Sequence, residues 1–589
     1  MPIMRHLAFT AALVLAAAAL AISVRPEPPL FEDAAAAAGL GGVAAQRVSF
    51  ADLDGDGAPD AIVDGVKVYL NRPAPGGGRR FERAAGDAAL APAGARGFDC
   101  VQVGDVDGDG HADLYLGRST DLSDAKFKDD GLRSEVWLGD GRGGFARKEG
   151  SGVGRFAETT RSACFVDYDA DGVLDLFVAN AYTNYGKSLE AFPSRLYKGR
   201  GDGTFDDVTE RAGLLGVSET ARADSRRPTY GVAHTDWNND GRQDLLSITY
   251  GRQWNRLWRN NGDGTFTDVA PETTFDGDDD RSGKYPEEAK AAFASKDANR
   301  AGSYDLEDEQ PFRSNGNGFD CAVADVNGDG NMDCFLANIT HWWAGSSSDL
   351  SMLLFNLGPE QGFKFRRRPD MIVRQHQGPR WNQGDMHAGW LDVDNDGRLD
   401  LLIASSDYPD EQILRLYHQR EDGGFEEWTD RLGFRWVNAV QISLADFDRD
   451  GATDILVGTN EHRMAPADRA RHKPFVGLFR NLAAARAGNR FLSLRLAGLG
   501  AGHANRDAVG SRVTIWIEGR RQVREVYGGL GHAGHRDDTE VRFGVGKARK
   551  VDRMEVRWPD ARSTVQVFEG VETGRFYRLE EGGALRPIP

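Results

Sequence analysis

The chain has 589 residues, 40% of them hydrophobic and 28% charged, with a formal net charge of −18. This supplies a large core but exceeds one ordinary compact domain, so several domains or internal repeats are expected. The acidic balance argues against nucleic acid or an anionic membrane surface as partner.

The first element in chain order is a targeting segment. Arg5 precedes an almost wholly apolar run over 7–24, with Ala19-Leu20-Ala21 as a small-residue cleavage site. Residues 1–24 therefore read as a secretory signal peptide, either cleaved or retained as an anchor, because 18 residues nearly span a bilayer. The expected location is secreted, extracellular or periplasmic. No second apolar stretch is long enough to cross a membrane. Four cysteines, Cys100, Cys164, Cys321 and Cys334, are too few for a disulfide scaffold and read as small buried thiols. A Cys321–Cys334 bridge across a hairpin is the alternative.

From residue 52 onward one nine-residue pattern, Asp-x-Asp/Asn-x-Asp-Gly-x-x-Asp, occurs seven times without a failed position. Its acidic or amide positions are Asp52, Asp54, Asp56 and Asp60 in the first copy, and Asp105, Asp107, Asp109 and Asp113 in the second. The third has Asp167, Asp169, Asp171 and Asp175, and the fourth Asp236, Asn238, Asp240 and Asp244. The fifth has Asp325, Asn327, Asp329 and Asp333, the sixth Asp392, Asp394, Asp396 and Asp400, and the seventh Asp446, Asp448, Asp450 and Asp454. Calcium takes six to eight oxygens, and a tight loop aims positions 1, 3 and 5 at one point. Glycine at position 6 permits the turn, and the aspartate at position 9 closes the shell. Four carboxylates within nine residues would repel one another without a cation, so up to seven structural calcium ions are expected. Those ions would cancel 14 of the 18 excess negative charges. The EF-hand differs, closing with glutamate at position 12 between helices.

The flanks of each copy alternate apolar and polar residues and read as strands, as in LYLG after Asp113 and LLIAS after Asp400. An aromatic hairpin follows, as in RLYKGRGDGTFDDVT at 195–209. Each interval thus predicts a four-stranded antiparallel unit, and seven units stacked radially predict an all-β fold, a seven-bladed β-propeller over 25–485. The last unit reaches FVGLFRN at 475–481 without a fourth strand, whereas FEDAAAAAGL at 31–40 matches FDDVTERAGL at 205–214. The N-terminal segment is therefore expected to complete the last blade. The insertion 271–318 is polar and acidic and reads as a lid or a surface excursion with a short helix near Glu287–Ser295. Residues 486–582 alternate with Gly-rich turns and predict a small C-terminal β-domain, followed by a tail at 583–589. Its Arg506, Asp507, Arg512, Arg557 and Trp558 read first as buried ion pairs and packing.

The repeats resemble FG-GAP/VCBS calcium-binding blades, to which integrin α-chain propellers are related. The stretches NRFLSLRLAGLG (489–500), NRDAVGSRVTIW (505–516), VRFGVG (541–546) and VDRMEVRWPD (551–560) resemble the ASPIC/UnbV domain, with Ser511 where that family often has alanine. The order of the two is similar to the cartilage-acidic-protein-like family. The resemblance implies secretion and calcium binding and supplies no settled activity.

No nucleophile elbow, HExxH, phosphate-binding loop or CxxCH is present. Tyr182, Tyr250, Trp254, His341, Trp342, Trp343 and His462 each follow the strand after a metal loop, at the end of the ring opposite the calcium turns. Such a face suits protein or carbohydrate recognition, and large aromatics equally fill gaps between blades. His234 and His387 read as strand residues, and the histidines show no zinc-ligand spacing. The expected function is a secreted calcium-binding, non-enzymatic binding or adhesion module for protein or glycan. The alternatives are an enzyme or accessory protein in glycan or enediyne-like metabolism, and a scaffold that recruits a partner through its C-terminal domain.

Overall fold

The computed structural model describes residues 28–588 except 91–99, 119–126, 130, 185–189, 217–223, 279, 295–308, 310–314, 375–380, 407–411, 462–463, 465 and 471–474. The signal segment and His462 lie outside the described residues.

The strands up to Asn481 pair into seven four-stranded antiparallel units, of which the fifth and sixth are joined by a short bridge from Ile339 and Thr340 to Gly384 and Gln383. In each unit a metal-loop motif connects the first strand to the second. Val48–Ala51 and Asp60–Val63 flank the loop of unit 1, for example, and Thr229–Thr235 and Asp244–Thr249 that of unit 4. First and second strands are buried almost throughout on both faces, with Met386 and Trp390 of unit 6 half-buried, because each sheet has a neighbour on either side. Fourth strands are short and bury mainly one aromatic, as Phe205 does in Phe205–Asp207.

Separate apolar layers lie between successive units. Leu402 and Leu414 of unit 6 pack on Ile442 and Val457 of unit 7, and Phe447 and Leu478 of unit 7 pack on Phe50 and Phe81 of unit 1. The ring closes, and the fold is a β-propeller. Its closing sheet takes Phe31–Asp33 as outer strand, paired antiparallel to Gly477–Asn481 in the register Phe31 to Asn481.

Residues Arg490–Ile588 form two further four-stranded sheets, one of which pairs Arg490–Ala497 in parallel with Arg575–Glu580. The expected tail at 583–589 is corrected here: Arg586–Ile588 is an edge strand on Arg575–Glu580. Pro587 is tolerated there because one side of an edge strand has no ladder to feed. The insertion also ends earlier than expected, since Asn317 and Gly318 begin the first strand of unit 5. Its helix spans Glu287–Ala294, and Tyr285 and Ala289 pack on Trp343 and Ala344. All four cysteines are buried, and Cys321 and Cys334 are not joined, so the alternative Cys321–Cys334 bridge is not formed. Both thiols lie in the apolar layer between units 4 and 5.

Candidate metal loops and the domain that caps them

Each loop is organised by backbone hydrogen bonds to its own carboxylates. The glycine N–H at position 6 donates to the aspartate at position 1 in every copy, for example Gly57 to Asp52 at 3.1 Å and Gly397 to Asp392 at 2.8 Å. The N–H of position 7 likewise donates to the aspartate at position 5. The aspartate at position 9 does more than close a shell. One oxygen accepts the N–H of the third strand in every unit, as in Asn71 to Asp60 at 2.6 Å and Asn481 to Asp454 at 2.7 Å. In six units the other oxygen accepts the N–H of position 2. It staples the loop to the sheet.

The donor set fits a hard cation. Five loop oxygens, Asp52 Oδ1, Asp244 Oδ2, Asp325 Oδ1, Asp394 Oδ1 and Asp448 Oδ1, are buried without a hydrogen-bond partner. Such orphans are costly unless something electropositive faces them. Ligand atoms of Asp52, Asp54 and Asp60 lie within 4.8 Å of one another, as do those of Asp105, Asp107 and Asp113 and of Asp167, Asp169 and Asp175. Burial pushes the carboxyls of Asp60, Asp113 and Asp446 up to about 8 and that of Asp167 to about 7, with loop neighbours of like charge adding to the effect. A bound cation relieves that crowding. In the third loop a cationic side chain already stands among the ligands, with Lys198 Nζ 2.7 Å from Asp169, 2.8 Å from Asp171 and 3.1 Å from Asp175.

A feature without a sequence signature covers this face: the C-terminal domain touches all seven units at or beside their metal loops. Arg495 pairs with Asp52, and its guanidinium donates to Gly57 O at 3.0 Å. The N–H of Asp105 donates to Asp507 at 2.8 Å, and that of Gly502 donates to Asp171 O at 2.7 Å. Arg512 donates to Asp236 O at 2.8 Å, and Arg557 pairs with the Asp236 carboxylate. Arg521 reaches Gly328 O, Gly546 N–H reaches Asn395 O, and Arg449 of the seventh loop pairs with Glu540 at 2.8 Å. Trp558 is buried in an apolar core shared with Val106, Phe165 and Leu174 of the propeller. Arg512, Arg557, Asp507 and Trp558 thus act in ion pairs, hydrogen bonds and packing, as the sequence reading expects, whereas Arg506, expected with them, is exposed.

From the same domain, residues 526–540 enter the bore of the propeller. Five first strands carry a register shift at the same level, next to Ser162, Gly231, Asp320, His387 and Gln441. Bulges re-aim side chains and backbone, and here they face the inserted segment. Ser162 Oγ donates to Gly531 O, Gly231 bridges His532, Gln441 Nε2 reaches Ala533 O at 3.4 Å, and Ala533 N–H donates to Arg161 O at 3.0 Å. Gly531 has φ +54°, and a Cβ there would fall inside the Asp320 carboxylate.

At the opposite end, the expected recognition residues are mostly packed. Tyr182, His341 and Trp343 are buried, which corrects their assignment to an open face. Tyr182 meets Tyr230 and Tyr250 edge-on, His341 stacks on Trp343 at 4.8 Å, and the buried Arg252 guanidinium lies over Tyr285 and Trp343. Tyr250, Trp254 and Trp342 are half-buried.

Residues 236–285 and 392–457 match the FG-GAP-like repeat, and residues 501–586 match the ASPIC and UnbV domain. Among solved structures the chain is similar to an Agrocybe aegerita lectin described for specific recognition of non-reducing terminal N-acetylglucosamine. The two share 16% identity over 74% of this chain and 91% of the lectin, at a TM-score of 0.37. It is also similar to an exo-β-1,3-galactanase from Clostridium thermocellum, at 9% identity, 63% and 76% coverage and a TM-score of 0.28. The Dos1 propeller is similar at 6% identity, 72% and 75% coverage and a TM-score of 0.31. No curated protein matches the sequence significantly.

Proposed function

Because this chain joins FG-GAP-like repeats to a C-terminal ASPIC/UnbV domain, we propose that it is a secreted, calcium-stabilised binding module whose activity is recognition of a protein or glycan, not chemistry. The observation that carries the calcium reading is the set of five buried, unpartnered carboxylate oxygens, each inside a loop that supplies only oxygen donors. Calcium accepts such a donor set, whereas magnesium favours fewer protein ligands and a stricter octahedron. The ions are structural: they hold strand turns together and set the surface on which the C-terminal domain sits. Calcium entry requires Lys198 to swing away in the third loop and Arg72, which pairs with Asp54 and Asp56, to do so in the first.

The proposed recognition surface is the end of the ring away from the metal turns, where Tyr250, Trp254 and Trp342 are half-buried rather than buried. Aromatic faces of this kind bind sugars and apolar side chains. The scaffold alternative, in which the C-terminal domain reaches out to a partner, is less favoured because that domain shares a core with the propeller.

The test is metal analysis of the purified protein with thermal unfolding in calcium and in EGTA. A site held at 100-fold its dissociation constant adds about 2.7 kcal/mol, so several sites produce a large fall in Tm on chelation. Stoichiometric calcium with that fall supports the reading. No bound calcium, or an unchanged Tm, overturns it. Glycan-array and protein-capture screens comparing the parent with Trp254→Ala and Trp342→Ala then test the recognition face.

A further inference from the structure

The bore holds a cluster that the calcium loops do not use. Asp320 comes from the first strand of unit 5, His387 from the first strand of unit 6, and His535 from the inserted segment of the C-terminal domain. All three side chains are buried, and one ligand atom from each lies within 4.8 Å of the others. His387 Nδ1 is 3.4 Å from Asp320 Oδ2, and His535 Nδ1 is 3.5 Å from the same oxygen. Charge-assisted hydrogen bonds close to about 2.7–2.9 Å, so these spacings are long for direct bonds. No ring nitrogen of either histidine has a hydrogen-bond partner. Two donors on one tetrahedral ion, with bonds of about 2.0–2.1 Å, stand about 3.3–3.4 Å apart. The observed separations match that edge.

The surroundings are those of a ligand set. Asp320 is oriented by the N–H groups of Cys321, at 2.7 Å to Oδ1, and Ala388, at 3.1 Å to Oδ2. The second nitrogen of His535, Nε2, lies 3.3 Å from Asp537 Oδ1, and that carboxylate oxygen is itself fixed by the Leu444 N–H at 2.7 Å. A carboxylate behind a metal-bound imidazole fixes its ring orientation and raises its basicity. A cavity of about 150 Å³ has His535, Asp537 and Ala388 in its wall and so borders the cluster on the His535 side.

We propose that Asp320, His387 and His535 bind a zinc-class transition-metal ion that locks the inserted segment to units 5 and 6. Two imidazoles and one carboxylate are a donor set for zinc and its neighbours in the first transition row, and a poor one for calcium. The site therefore differs in chemistry from the seven loops and stands whether or not those loops hold calcium.

The test uses the full chain stripped of metal, returned to saturating calcium and titrated with Co²⁺ as a spectroscopic stand-in for zinc. The expected result is one Co²⁺ per chain with the intense visible bands of a tetrahedral N/O site, displaced by Zn²⁺ and not by excess Ca²⁺. His387→Gln and His535→Gln should each abolish the bands and the bound ion while calcium content stays the same. A calcium-saturated parent that binds no Co²⁺ or Zn²⁺ overturns the proposal and leaves the cluster as an ion pair held by a proton. So does equal binding in the parent and in a folded His387→Gln/His535→Gln double variant. The parent measurement decides the question even if a variant fails to fold.

Discussion

The position-9 aspartate of the fifth loop separates what a metal contributes from what the loop backbone contributes. Asp333 is fully buried, and its oxygens accept the N–H of Val326 at 3.0 Å and of Asn356 at 2.8 Å. Asn356 in turn donates its side-chain amide to Trp237 O of the neighbouring unit at 2.8 Å. Asp333→Ala leaves two buried N–H groups unpaired, at about 1–3 kcal/mol each. Burial pushes the Asp333 carboxyl well above its ordinary range, so its removal also relieves some desolvation, and the net loss in EGTA should be about 2–5 kcal/mol. Asp329 is exposed and bonds mainly to Asn331 and Asn327 in its own loop. Asp329→Ala should cost less than about 1 kcal/mol in EGTA, and substantially more in calcium, where it removes a ligand. Urea unfolding of both variants with calcium and with EGTA measures the difference, and hydrogen exchange at the Val326 and Asn356 amides localises it. If Asp333→Ala matches its parent in EGTA, or if Asp329→Ala costs as much there, the staple argument is wrong.

Three further outcomes are expected. Gly531→Ala should force the inserted segment away from Asp320, seen as new proteolytic cleavage within 526–540 and a lowered Tm, while Gly519→Ala, at an open turn with space around it, should leave that segment protected. Arg512→Met removes the partner of buried Glu525, which lies 2.6 Å from it, and should destabilise the chain by about 3–5 kcal/mol in thermal or urea unfolding; adding Glu525→Leu should restore much of that loss. The four buried thiols should resist a thiol reagent in calcium and react together on unfolding, with burial pushing the Cys164 thiol well above its ordinary value as a further brake.

Much of the propeller was legible because its determinants are local. Nine residues define each acidic loop, alternation defines the flanking strands, and the likeness of 31–40 to 205–214 places Phe31–Asp33 in the closing sheet. The helix near Glu287 was readable for the same reason. The seating of the C-terminal domain was not. Its arginines meet loop carbonyls and carboxylates from far along the chain, as Arg495 meets Asp52, and no periodicity records such a pairing. Nothing local in residues 526–540 marks them for the bore, because their partners are spread over several strands. The missing zinc spacing among the histidines describes a single segment, whereas Asp320, His387 and His535 come from three. The aromatic face was misjudged in part because a Trp or Tyr after a strand looks alike whether it caps the ring or fills it. Burial of Tyr182 and Trp343 decides for filling.

The outer strand Phe31–Asp33 also sets a timetable for synthesis. It leaves the ribosome before the other described strands of the ring and waits for Gly477–Asn481, an interval on the order of tens of seconds at ordinary elongation rates. Until then both ends of the nascent array are raw sheet edges, open to pairing with another copy. A three-residue strand offers few ladder bonds to a wrong partner, so its brevity works as protection during translation. The segment 526–540 emerges after every strand of the ring, and either enters a closed ring from one end or is enclosed as the last sheet forms.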